Sequence, residues 1–122
     1  MATVETLSPS IPQASTSIGG VRTLKKTITE DYTLLTADSG YVIYVNSSSD
    51  VQITISATLP DGFYASFIQK NTGTFTLVAG LGATVEALFD VFESAGRGAQ
   101  AYLTVDNTTG SAATAWCTGA LT

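Results

Sequence analysis

Residues 38–80, DSGYVIYVNSSSDVQITISATLPDGFYASFIQKNTGTFTLVAG, decide the fold. Four short segments rich in β-branched and aromatic residues, 41–46, 51–55, 63–69 and 75–79, are set apart by turn chemistry. The breaks fall at Asn46-Ser-Ser-Ser-Asp50, Leu59-Pro-Asp-Gly62 and Asn71-Thr-Gly73. Such residues supply positive φ, a fixed φ, or a side chain that bonds its own backbone. Val51, Ile53 and Ile55 alternate with Gln52 and Thr54, which predicts a strand with one wet face. Positions 41–45 are apolar throughout, which predicts a strand covered on both faces.

The same reading extends outward. Residues 21–29 alternate loosely, with Leu24, Lys26 and Ile28 against Thr23, Lys25 and Thr27, and 32–35 form a shorter segment. Later, 100–106 and 113–119 read as two more strands around a turn at 107–110. Residues 85–93 fit two periods. Val85, Leu88, Phe89 and Phe92 sit at helical spacing, while Val85, Ala87, Phe89 and Val91 suit a strand. Glycines at 80, 82, 96 and 98 crowd this segment and favour strand or turn. The sum is about eight strands spaced by roughly ten residues, the pattern of a sandwich or barrel. The expected fold is therefore all-β, a single jelly-roll-like β-sandwich or distorted barrel over 21–122. Residues 1–20 contain Pro9, Pro12 and Gly19-Gly20 with isolated aliphatics, and read as an extended N-terminal arm. Leu7, Ile11 and Ile18 are its candidate anchors on a neighbouring subunit. No internal repeat of useful length is visible.

Composition narrows the function. The chain has 122 residues, 44% of them hydrophobic and only 12% charged, and its net charge is −5. That charged share is about half the globular norm. Serine and threonine fill the solvent-facing positions instead, where a β-branch fits the pleat and a hydroxyl satisfies water. Five basic residues, Arg22, Lys25, Lys26, Lys70 and Arg97, form no aromatic-interleaved basic face, so nucleic acid is not an expected partner. The group Arg22, Lys25 and Lys26 reads as a solvated strand surface, or else as a contact to an acidic partner. The N-terminus has no basic segment followed by an apolar one, and no apolar run is long enough to span a bilayer. Synthesis in a cytoplasm and no membrane partner are the expectations. Asn46 and Asn107 head two glycosylation-type sequons that a Ser/Thr-rich chain produces by chance.

Chemistry is thin. The absence of histidine removes the Ser-His-Asp triad, the Cys-His pair and imidazole acid–base work. Cys117 stands alone and reads as a small buried hydrophobe on the last strand. Glu30, Asp31, Asp61, Glu86, Asp90 and Glu93 could supply paired carboxylates for a glycosidase. Most fall in turns, however, where acids serve backbone hydrogen bonds. No Asp-x-Asp-x-Asp-Gly loop is present, and 79–82 lacks the lysine and helix of a phosphate loop. The expectation is a non-enzyme without cofactor or metal. Trp116 has two readings: packing in the core or at a subunit interface, or stacking on a ligand.

One resemblance adds to this. Tyr32-Thr-Leu-Leu-Thr-Ala-Asp-Ser-Gly40 precedes an apolar strand ending Val45-Asn46-Ser47. The Val51-x-Ile53-x-Ile55 strand follows, then Leu59-Pro-Asp-Gly62, Phe67-Ile-Gln69, Gly73 and Val78-Ala-Gly80. Trp116, Gly119 and Leu121 close the series. This ordered set, spread over 27–121, resembles a β-rich virion structural module of tailed bacteriophages. The resemblance implies a virion structural role and frequent trimers, and it transfers no catalytic residue. With no fibrous shaft, the chain is expected to be a capsid decoration (cement) protein. It would bind the major capsid protein on the outer shell as a homotrimer and be located on the capsid surface. The alternative is a tail-fibre or tail-tip module that recognises a host-surface glycan or protein. A host-side lectin-like carbohydrate binder is a third class.

Overall fold

The computed structural model describes residues 24–122, and the arm with Leu7, Ile11 and Ile18 lies outside them. Nine strands are present: β1 Lys25–Ile28, β2 Tyr32–Thr33, β3 Val42–Val45, β4 Val51–Ile55, β5 Tyr64–Gln69, β6 Phe75–Ala79, β7 Thr84–Ala87, β8 Gln100–Asp106 and β9 Thr114–Gly119. They form a six-stranded sheet in the order β1-β3-β5-β8-β9-β7 and a three-stranded sheet in the order β2-β4-β6. The all-β expectation stands.

The pairing differs from that of a jelly roll, which is made of antiparallel Greek keys. β1, β3 and β5 run parallel in the large sheet, and β2, β4 and β6 run parallel in the small one. Successive strands therefore alternate between the sheets, and residues 25–79 wind as three turns of a coil. The segments at 46–50, 59–62 and 71–73 are corners between sheets. Register steps along the large sheet, Lys25 to Val42 to Ser66, are unequal, which hides the coil from a search for a fixed repeat. Beyond β5 the winding stops: β8 is antiparallel to β5, β9 antiparallel to β8, and β7 parallel to β9.

Alternation fills the interior. Ile43, Phe67, Ala101, Leu103, Ala115 and Cys117 face inward from the large sheet, against Ile53, Ile55, Phe75 and Leu77 from the small one. Phe67 and Phe75 meet across the core with ring centroids 5.7 Å apart. Each such side chain contributes about 1.5–3 kcal/mol of burial. Buried polar groups are satisfied. Asn107 donates to the carbonyls of Ala57 and Leu59 and accepts from the Gly110 and Ala112 amides, tying a corner to the β8–β9 loop. It is an internal clamp, closed to glycosylation in the folded chain. Ser94 Oγ donates to Gln69 Oε1 at 2.6 Å and accepts from the Phe75 amide.

The two ends of the coil are finished differently. At the β6 end, residues 92–94 lie antiparallel along β6, and 120–122 pair with 93–95 in turn. At the β1 end a polar cluster closes the core. Lys26 occupies the inward row continued by Ile43 and Phe67, and its ammonium bonds Asp38 Oδ1 at 2.6 Å. Asp38, only 1% exposed, also accepts from the Tyr32 hydroxyl and the Leu35 amide. Lys26 is thus not the solvated surface charge its neighbours in sequence suggest. A coil end needs a polar cap, and Lys26, Tyr32 and Asp38 supply one.

Candidate functional site

Two surfaces project side chains that the core does not use. The first is the outer face of the six-stranded sheet. Beneath it Ala65, Phe67, Ala101, Leu103 and Ala115 are buried, so the outward side chains stand on a packed floor. Tyr64 on β5, Thr104 on β8 and Trp116 on β9 form one cross-strand row. Ser66, Tyr102 and Thr118 form the next. Tyr64, Tyr102 and Trp116 are 59%, 51% and 55% exposed. Gly40, at φ 85°, lies against the Tyr64 hydroxyl end, and its left-handed backbone rather than lack of space favours glycine there. Farther along, Tyr44 is flanked by the Lys25 and Lys70 ammonium groups, 5.4 and 5.7 Å from its ring centre. The outer face of β3 is only partly covered, with Val42 and Tyr44 half-buried, where the unbroken apolar run predicts cover on both faces.

The second surface follows β7. Leu81 is wholly exposed in the turn before it, and Leu88 and Phe89, just after it, are 75% and 84% exposed. Phe89 and Asp90 both adopt left-handed backbone, with φ of 63° and 54°. For residues other than glycine this costs about 1–2 kcal/mol each. The strain holds Phe89 outward beside an open groove of about 230 Å³, lined by Val91, Cys117, Thr118, Gly119 and Leu121. Residues 85–93, ambiguous in sequence, are therefore strand up to Ala87 and a left-handed turn after it.

Several aspartates serve the backbone, as their turn positions suggest. Asp31 accepts from the Gln52 amide, Asp50 from the Thr74 amide and Asp61 from the Asn107 amide, at 2.9–3.0 Å. In an open hollow bordered by Glu30, Asp31 and Asp50, the two aspartates are already engaged by these amides. Among the described residues, no three His, Cys, Asp or Glu side chains are grouped to hold a metal. Cys117 is buried on β9, and burial pushes its thiol up to about 12, far from the thiolate needed for reactivity.

Of the site residues expected from sequence, Trp116 is outward and exposed, at the β9 end of its aromatic row, and does not pack in the core of the chain. Tyr64, Tyr102, Leu88 and Phe89 join the two surfaces without having been singled out. Alternation within 100–106 is the signal for Tyr102. The left-handed turn at Phe89 has no glycine or asparagine to announce it. Compared with family models, curated proteins and solved structures, the chain matches none of them.

Proposed function

We propose that the chain is a structural protein of a tailed-phage virion, a capsid decoration protein that binds the major capsid protein on the outer shell as a trimer. The ordered motif series over 27–121 supports the virion assignment. Phe89 carries the docking argument. A bulky aromatic held in left-handed backbone and left 84% exposed gains little in the isolated chain. Burial of Phe89 and Leu88 against a protein partner would return about 1.5–3 kcal/mol for each side chain. Many weak contacts of this kind, repeated over a shell, add by avidity. The two sheets would be the frame on which the β7 surface and the arm are displayed.

The test is co-sedimentation with shells that lack the protein. Leu88→Ser combined with Phe89→Ser should reduce shell binding at least tenfold while leaving the melting temperature within a few degrees. Undiminished binding would refute docking through the β7 surface. The tail-fibre or tail-tip reading is favoured by a different observation, the exposure of Trp116 on the same face as Tyr64 and Tyr102.

A further inference from the structure

We propose that the outer face of the six-stranded sheet is a binding site for a neutral oligosaccharide, with Trp116, Tyr64 and Tyr102 as stacking platforms. The inference does not depend on a virion role, because the face belongs to the isolated chain.

Geometry comes first. Tyr64 and Trp116 lie in one row with a single strand between them, so their Cα atoms are about 10 Å apart. Tyr102 sits on that intervening strand, displaced by two residues, which places it about 8 Å diagonally from both. Three rings on three adjacent strands make a triangle that can engage successive sugar rings of one chain. All three are carried on strands over packed core, so little conformational freedom is lost on binding.

The chemistry between the rings fits the same ligand. Ser66, Thr104, Thr118 and Gln100 fill the spaces, each able to donate and accept, as sugar hydroxyls require. The Tyr102 hydroxyl already bonds Gln100 Oε1 at 3.3 Å, which shows that these groups are within mutual reach. The Trp116 indole N–H has no hydrogen-bond partner among the described residues. Charge decides the class: within the triangle there is no ionisable acid or base apart from tyrosine. The nearest charges border it and are acidic: Glu86 lies opposite Trp116 on β7, and Asp106 follows Thr104 on the same outer face of β8, while Lys25 is three strands away from Tyr102. A polyanion would be repelled by these bordering carboxylates, whereas a neutral glycan seated on the triangle itself would bury no charge.

Area separates the glycan from a second protein. From the Tyr64 row to the Tyr44 row, across four strands, the flat surface measures about 300 Å². A standard protein interface needs about 800 Å² from each partner. A short glycan needs far less.

The test is titration of the intact chain with neutral tetra- to hexasaccharides of glucose, mannose, galactose and N-acetylglucosamine. Polygalacturonate serves as the charged control, and both calorimetry and tryptophan fluorescence are read. At least one neutral probe should bind and change Trp116 emission. Trp116→Ala and Tyr64→Ala should each weaken that binding tenfold or more with the melting temperature unchanged. The Leu88/Phe89 double variant should bind as the wild type does, so loss of shell docking and loss of sugar binding are told apart. Three outcomes overturn the proposal: no neutral probe binds, binding survives Trp116→Ala, or Trp116→Ala changes the oligomeric state and marks the face as a self-interface.

Discussion

Replacing Asp38 by asparagine tests how the coil is closed at its first turn. The carboxylate accepts from Lys26 at 2.6 Å, from Tyr32 at 2.6 Å and from the Leu35 amide at 2.9 Å. Asparagine keeps the shape but puts a donor where donors already converge, and it leaves the Lys26 ammonium without a counter-charge, bonded only to the neutral Tyr32 hydroxyl and amide oxygen. Breaking a fully buried ion pair costs about 3–5 kcal/mol, and the partial exposure of Lys26 moves the estimate to the lower end, about 3 kcal/mol. For a domain of this size that is a fall in melting temperature of about 10–15 °C. Lys26→Met, which leaves Asp38 its other two donors, should cost about 2 kcal/mol. The charge state gives a second handle. Burial pushes the Asp38 carboxyl up, but the bonds from Lys26, Tyr32 and Leu35 outweigh it and hold the group below its ordinary 3.8. A depressed acid contributes stability that is present above its unfolded value and lost as pH falls through the folded one. The Lys26 ammonium, bonded by Asp38 first and Tyr32 second, is held above 10.5, so its share is present below that value and lost at higher pH. The difference between wild type and Asp38→Asn should be flat from about pH 4 to pH 10 and shrink on both sides. Urea unfolding across that range is the assay. A loss under about 0.5 kcal/mol at pH 7 would refute the cap, because ordinary surface changes are that small. A loss undiminished in acid would refute the ionic account of it.

Three further outcomes are expected. Phe89→Gly removes left-handed strain from an exposed site and should raise stability by about 1 kcal/mol while weakening shell binding; a drop in melting temperature would mean the ring packs more than its exposure shows. Cys117 should resist a thiol reagent at pH 8 in the folded chain and react fully in denaturant, whereas fast labelling of the native protein would contradict its burial. Deletion of residues 2–20 should weaken co-sedimentation with shells, and unchanged binding would remove Leu7, Ile11 and Ile18 from the account.

Strand positions were legible where alternation is strict. Residues 51–55, 75–79 and 100–106 match β4, β6 and β8 to the residue, because period-two burial leaves a mark that no long-range information is needed to read. Pairing direction was not legible. Asn, Pro and Gly make a hairpin turn or a corner between sheets with the same local chemistry, and only distant partners decide which. Lys26 was misread for the same reason: its partner Asp38 is reached across a 3-10 turn that the alternation does not show. Trp116 was half legible. On a strand, neighbours point to opposite faces, so a buried Cys117 already requires an outward Trp116. The left-handed turn at Phe89 breaks the local rule, and a broken rule without visible compensation points to function more than to folding.

The most direct test of the virion account is the number of copies of this chain per major capsid protein in purified virions, by quantitative mass spectrometry. The account predicts a ratio near one to one, or near one trimer per capsomer. A ratio of a few per hundred would contradict shell decoration and place the chain at the tail or a vertex. Complete absence from virions would contradict the structural role itself.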